Sequence, residues 1–150
     1  MADVLLTMQG VAKHYRAGSR RFSALRGIDL AISQGELVVV LGRSGAGKTT
    51  LLSLAGGLDV PDEGRVVFEG EEISGLDQVA LARSLVKSPR LLLADEPTGQ
   101  LDTHTATQVI DLVREAARAG TTVLAATHDE SLADVADRVL HMDDGALVAR

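Results

Sequence analysis

The run Gly42-Arg43-Ser44-Gly45-Ala46-Gly47-Lys48-Thr49 constrains this chain more than any other stretch of its sequence. Directly before it stands Val38-Val39-Val40-Leu41, a short continuous apolar run of the kind that forms a strand buried on both faces of a parallel sheet. Directly after it, residues 49–54 read as a helix closed by Gly56-Gly57. Strand, glycine-rich loop and helix in that order make the P-loop pattern. The residue types follow from the chemistry of holding a phosphate chain. Glycines let the backbone wrap an anion with its N–H groups pointing inward, and the helix N-terminus adds favourable partial charge. Lys48 is expected to reach the outer phosphates and the Thr49 hydroxyl to ligand Mg²⁺. The expected phosphate site is thus Gly42, Arg43, Ser44, Gly45, Ala46, Gly47, Lys48, Thr49 and the neighbouring Thr50.

Two further apolar runs, Leu91-Leu92-Leu93-Ala94 and Val123-Leu124-Ala125-Ala126, also read as buried strands. Between them Ala106, Val109, Ile110, Val113, Ala116 and Ala117 recur at helical spacing over residues 105–119, and Gly120 follows at the stop position. Strand, helix, strand is the βαβ signature. A further helix is expected over residues 78–87, ended by Ser88-Pro89. The first third differs, with short strands at 4–8 and 25–32, a turn at 33–36, and a turn at 61–64 into a strand at 65–68. Asp143-Asp144-Gly145 reads as a final hairpin turn. The fold class is therefore α/β: a mostly parallel sheet flanked by helices, with antiparallel strands on its N-terminal side. At 150 residues and 45% hydrophobic composition, with no repeat or linker, the chain reads as one domain over 1–150.

Composition excludes several classes. There is no cysteine for a disulfide scaffold or a thiolate metal site, which fits a reducing compartment. The net charge of −6 is wrong for a protein that coats nucleic acid. With Tyr15, Phe22 and Phe68 as the only aromatics, stacking on nucleobases by several aromatic side chains is not expected. Residues 1–7 carry no basic region followed by an apolar stretch, and no apolar run approaches the roughly 18 residues of a membrane span. The expected location is cytoplasmic.

Leu91-Leu92-Leu93-Ala94-Asp95-Glu96 is an apolar strand ending in two acids. Together with the P-loop it reads as a Walker B strand, with Asp95 holding Mg²⁺ and Glu96 polarising the attacking water as general base. His14, His104 and His141 match no metal-ligand spacing and read as surface residues.

Asp95-Glu96-Pro97-Thr98-Gly99-Gln100-Leu101-Asp102 closely resembles the Walker B and D-loop of ABC transporter ATPases. With Gly56-Gly57-Leu58-Asp59 and Leu25-Arg26-Gly27-Ile28-Asp29-Leu30, it looks like the lipoprotein-releasing and macrolide-exporter branch of that family. The resemblance implies a P-loop NTPase core that binds ATP and Mg²⁺. It implies that Asp102 addresses a second ATP-binding subunit, that His128 contacts the γ-phosphate, and that Tyr15 stacks on adenine. It also implies a membrane-spanning transporter subunit as partner, which would hold the chain peripherally on the inner face of the membrane, and no nucleic acid.

Family members carry a Q-loop strand and a helical subdomain leading to the LSGGQ signature between a strand like 65–68 and Walker B. Here Glu71-Glu72-Ile73-Ser74-Gly75-Leu76-Asp77 resembles the segment before that block, and Gln78-Val79-Ala80-Leu81-Ala82-Arg83-Ser84-Leu85 the helix after it. The two meet near 75–78 with nothing between. A homodimer would then supply two P-loops and no signature, and losing one such preorganised donor costs about 10²–10³ in rate. The expectation is an ATP-binding subunit with weak or absent hydrolysis alone. A nucleotide-binding remnant or regulatory module, and a half-site ATPase completed by an intact partner, stay open. Excision of the Q-loop strand should leave four parallel strands with the Walker B strand at the edge.

Overall fold

Residues 3–76 and 90–149 are described by a computed structural model of the chain. Two strands form its centre because their side chains are apolar or small on both faces: β3 (Leu37–Leu41) and β7 (Thr122–Thr127). They pair in parallel, Val39 opposite Ala125. Their alternation divides the interior in two. Val38, Val40, Leu124 and Ala126 join one core, whereas Leu37, Val39, Val123 and Ala125 join the other.

Around this pair the larger sheet runs β6-β7-β3-β8-β9, with β6 (Leu91–Asp95), β8 (Arg138–Asp143) and β9 (Ala146–Val148). The first four strands are mutually parallel, and β9 returns antiparallel through the expected turn at 143–145. Among the described residues β6, the strand expected as Walker B, pairs only with β7 and so stands at the edge of the described sheet. The expected helix at 78–87 and part of the join near 75–78 lie outside the described residues.

A second, antiparallel sheet runs β2-β1-β4-β5, from β1 (Val4–Ala17), β2 (Arg20–Ser33), β4 (Glu63–Phe68) and β5 (Glu71–Glu72). The hairpin of β1 and β2 is much longer than the expected strands at 4–8 and 25–32. Residues 13–24 lack a clean apolar alternation, yet the ladder carries on to Ala17 opposite Arg20. This sheet and α1 (Lys48–Ala55) close over the first core through Leu6, Met8, Leu25, Ile32, Leu51 and Leu54. The second core lies under α2 (Thr103–Arg118) and the short α3 (Glu130–Ala133), which supply Val113 and Leu132. Asp102 caps α2 by accepting from Thr105 N at 2.7 Å, and Arg118 in the last turn complements the helix dipole. No described helix is long and apolar enough to cross a membrane.

Leu124 is fully buried at the middle of β7, whereas Leu112 on α2 is 64% exposed. Leu124→Ala should lower the unfolding free energy by about 2–5 kcal/mol. Leu112→Ala should change it by no more than about 0.5 kcal/mol, both read from urea denaturation.

Candidate nucleotide-phosphate site

The parallel register sets where the site forms. Leu41 is level with Thr127, and Asp95 with Ala126, so the carboxyl ends of β3, β7 and β6 finish side by side. Open α/β sheets present their ligand crevice at that end of the strands. Here the loop after β3, the two acids ending β6 and His128 after β7 line one cavity of ≈ 710 Å³.

The loop between β3 and α1 is built for close approach. Gly47 has φ 104, and a Cβ on it would stand 2.5 Å from the Ala24 carbonyl oxygen. Only glycine fits that backbone and that gap. As N-cap of α1, Gly47 contributes no side-chain cap, and the first turn carries no acidic residue, so the helix end keeps its N–H groups and its positive field for an anion. Lys48 is 6% exposed, and its Nζ donates to the Arg43 carbonyl at 2.9 Å and to that of Gly42. The same Nζ stands 3.7 Å from Glu96 Oε1.

Thr49 Oγ1 donates to Asp95 Oδ2 at 2.7 Å, joining the start of α1 to the end of β6. A hydroxyl and a carboxylate are the hard oxygen donors that suit Mg²⁺, which commonly completes its shell with phosphate and water. Among the described residues no group of three or more His, Cys, Asp or Glu could hold a metal ion. The donor set therefore fits a cation brought or completed by a phosphate, not a dedicated protein cage.

Glu96 sits at φ 47, a left-handed backbone that costs a side-chain-bearing residue about 1–3 kcal/mol. Its carboxylate accepts from Thr127 Oγ1 at 3.0 Å and lies 3.0 Å from His128 Nδ1. Burial alone would push the Glu96 carboxyl up, but the hydrogen bonds from the His128 ring, the Thr127 hydroxyl and the His128 N–H hold it below its usual 4.5. One layer back, the buried Thr98 hydroxyl donates to Asp129 Oδ2 at 2.9 Å, and Asp129 N donates to Thr127 Oγ1 at 3.0 Å. Hydrogen bonds from Ser131 N and Thr98 keep the Asp129 carboxyl low against a smaller effect of burial.

Of the expected site residues, the cavity gathers Tyr15, Ser44, Gly45, Gly47, Lys48, Thr49, Thr50, Asp95, Glu96 and His128. Gly42, Arg43 and Ala46 do not line it. Gly42 and Arg43 contribute the carbonyls that hold Lys48, and Ala46 N donates to Arg43 O at 3.1 Å to shape the loop. Asp102 is exposed, with its carboxylate engaged in capping α2. His104 is exposed as expected, but His14 and His141 are half-buried, and His14 Nδ1 shares a hydrogen bond of 2.9 Å with Ser23 Oγ. Phe22, Ala24, Gly99 and Gln100 also line the cavity, none of them among the expected site residues. Two of the chain's three aromatic residues, Tyr15 and Phe22, gather at this one cavity. The signal was available: six residues separate Tyr15 from Phe22 around a Gly18-Ser19 turn, and a hairpin pairs them across the ladder.

The family model described as ABC transporter matches residues 25–79. The lipoprotein-releasing system ATP-binding protein LolD of Ruegeria sp. (strain TM1040) is 32% identical, over 100% of this chain and 100% of that protein. LolD of Legionella pneumophila (strain Paris) is 31% identical, again over 100% of both. These alignments run over 227 and 226 residues, so about a third of each lies opposite positions that a chain of 150 residues lacks. The macrolide export ATP-binding/permease protein MacB of Chlorobaculum tepidum is 29% identical over 96% of this chain, which spans 34% of that protein's length. The dimeric structure of MJ0796, a bacterial ABC transporter cassette, matches at a TM-score of 0.89 and 23% identity, covering 97% of both chains. At that identity the likeness is one of fold.

The depressed Glu96 carboxyl has a pH signature. Because its folded pKa lies below the unfolded one, its contribution to stability is fully present above about pH 4.5 and is lost as pH falls through the lower folded value. Glu96→Gln mimics the neutral acid. Urea denaturation should find the variant less stable than the parent at neutral pH, with the difference shrinking below pH 4.5.

Proposed function

This chain belongs to the ATP-binding subunits of ABC transporters, and we propose that residues 42–50, Asp95, Glu96 and His128 bind Mg-ATP as the P-loop half of a composite site. The observation that carries the proposal is the convergence, in one cavity, of an anion-ready helix end, a buried lysine, a hydroxyl–carboxylate pair and a hydrogen-bonded acid. Phosphates would take the N–H groups of the loop and the Lys48 ammonium. Thr49 Oγ1 and Asp95 would hold the magnesium ion, which when bound neutralises charge on the outer phosphates.

Glu96 would take a proton from water, a role supported by its ionisation at neutral pH and by the Thr127 hydroxyl that fixes its orientation. His128 donating through Nδ1 to Glu96 leaves Nε2 unprotonated in the neutral ring. Contact with a γ-phosphate through that nitrogen therefore needs either the imidazolium or release of Glu96.

Hydrolysis by this chain alone is proposed to be weak, because residues 69–90 hold no LSGGQ sequence and the alignments to LolD exceed the chain's own length. The proposed partners are a membrane-spanning permease, supported by the ATP-binding/permease name of MacB, and a second ATP-binding subunit, supported by the dimeric MJ0796 cassette, with the chain on the inner face of the membrane. A half-site completed by an intact partner is the second reading, favoured by the assembled contacts of Glu96 with Thr127 and His128.

Thermal unfolding of the chain titrated with Mg-ATP tests the proposal. At 100 times the dissociation constant, a ligand that binds only the folded state adds about 2.7 kcal/mol. The shift should appear in the parent and vanish in Lys48→Ala, with little phosphate released until a signature-bearing homologue is added. No shift in a cooperatively unfolding parent would overturn the reading.

A further inference from the structure

Phe68 is 8% exposed in the first core, whereas Phe22 is 51% exposed, an apolar ring left half in water. Phe22 faces Tyr15 across the hairpin, with ring centroids 5.8 Å apart and planes tilted by 39°. Both rings line the same cavity as the phosphate loop. Ala24, two residues on at a register shift of the ladder, lines it as well, and its carbonyl abuts Gly47.

Tyr15 does not stand loose in this corner. Its hydroxyl donates to Asp59 Oδ2 at 2.9 Å, and Lys13 Nζ donates to Asp59 Oδ1 at 3.0 Å and to Val60 O at 2.7 Å. The Lys13 ammonium also lies 5.4 Å from the centre of the Tyr15 ring. Burial would push the Asp59 carboxyl up, yet the bonds from Lys13, Val60 N and Tyr15 keep it low and ionised. Asp59 follows α1 by way of the Gly56-Gly57 turn, so the helix that begins at the phosphate loop leads into the residue that holds the ring.

We infer that Phe22 is a second aromatic wall of the nucleobase site, with Tyr15 held against it by Asp59 and Lys13. The inference rests on the nucleotide reading above and adds a recognition group to it. Two tilted rings form a corner that a flat heteroaromatic base covers by stacking on one and meeting the edge of the other. The exposed Phe22 surface is then removed from water by the nucleotide itself.

The test compares Mg-ATP with Mg-tripolyphosphate, which has the phosphates and no base, by calorimetric titration of the full chain. Phe22→Ala should weaken Mg-ATP at least about fivefold, the lower bound for removing one stacking partner, while tripolyphosphate binding stays within about twofold. Phe22→Tyr should restore Mg-ATP binding, and Asp59→Asn should weaken Mg-ATP selectively. Equal Mg-ATP affinity in the parent and Phe22→Ala, or equal loss of both ligands, overturns the inference alone. A parent that binds neither ligand overturns the nucleotide reading and this inference with it.

Discussion

Everything at the site depends on the level register of three parallel strands. β3, β7 and β6 each contribute one component, and each component is useful only because the strand ends coincide. A slip of one residue would exchange the inward and outward sets on the slipped strand, moving Val38 and Val40 out of one core and Val39 into it. Burial on both faces of β3 and β7 makes that slip costly. The precision of the site is therefore inherited from apolar packing several residues away from any polar group.

The two sides of the crevice are supported unequally. The phosphate loop is enclosed by β7, by the β8–β9 turn through Gly145 N to Ala46 O at 2.8 Å, and by β2 at Ala24. Asp95 and Glu96 come from β6, which among the described residues has a strand neighbour on one side only. Glu96 compensates with contacts that cross to β7: its N–H reaches Ala126 O at 2.8 Å, and its carboxylate takes Thr127 and His128. These bonds keep a strained backbone in place at the edge of the sheet.

Much of this was readable from residues alone, and for physical reasons. Strands buried on both faces must be continuously apolar, so residues 38–41, 91–94 and 123–126 announce themselves, and a backbone that wraps phosphate must be rich in glycine. The long hairpin was less legible because residues 13–24 are held by cross-strand and loop contacts, Lys13 to Asp59 among them, that span 46 positions of sequence. Phe22 is legible only through that hairpin: its meaning lies in what it faces, and the Gly18-Ser19 turn is the local sign that sets it opposite Tyr15. Asp102, which the resemblance sets toward a second ATP-binding subunit, also caps α2, a role its place before a helical run makes readable.

Lys48 carries one more implication. Its ammonium already donates into the carbonyls of its own loop. A phosphate bound as proposed would therefore exchange partners with a lysine already engaged by its own loop. Affinity then reflects the difference between two sets of bonds, and the contacts surrendered offset part of those formed. The same bonds tie the loop together through its own carbonyls, a restraint of the kind that lowers the conformational entropy lost on binding.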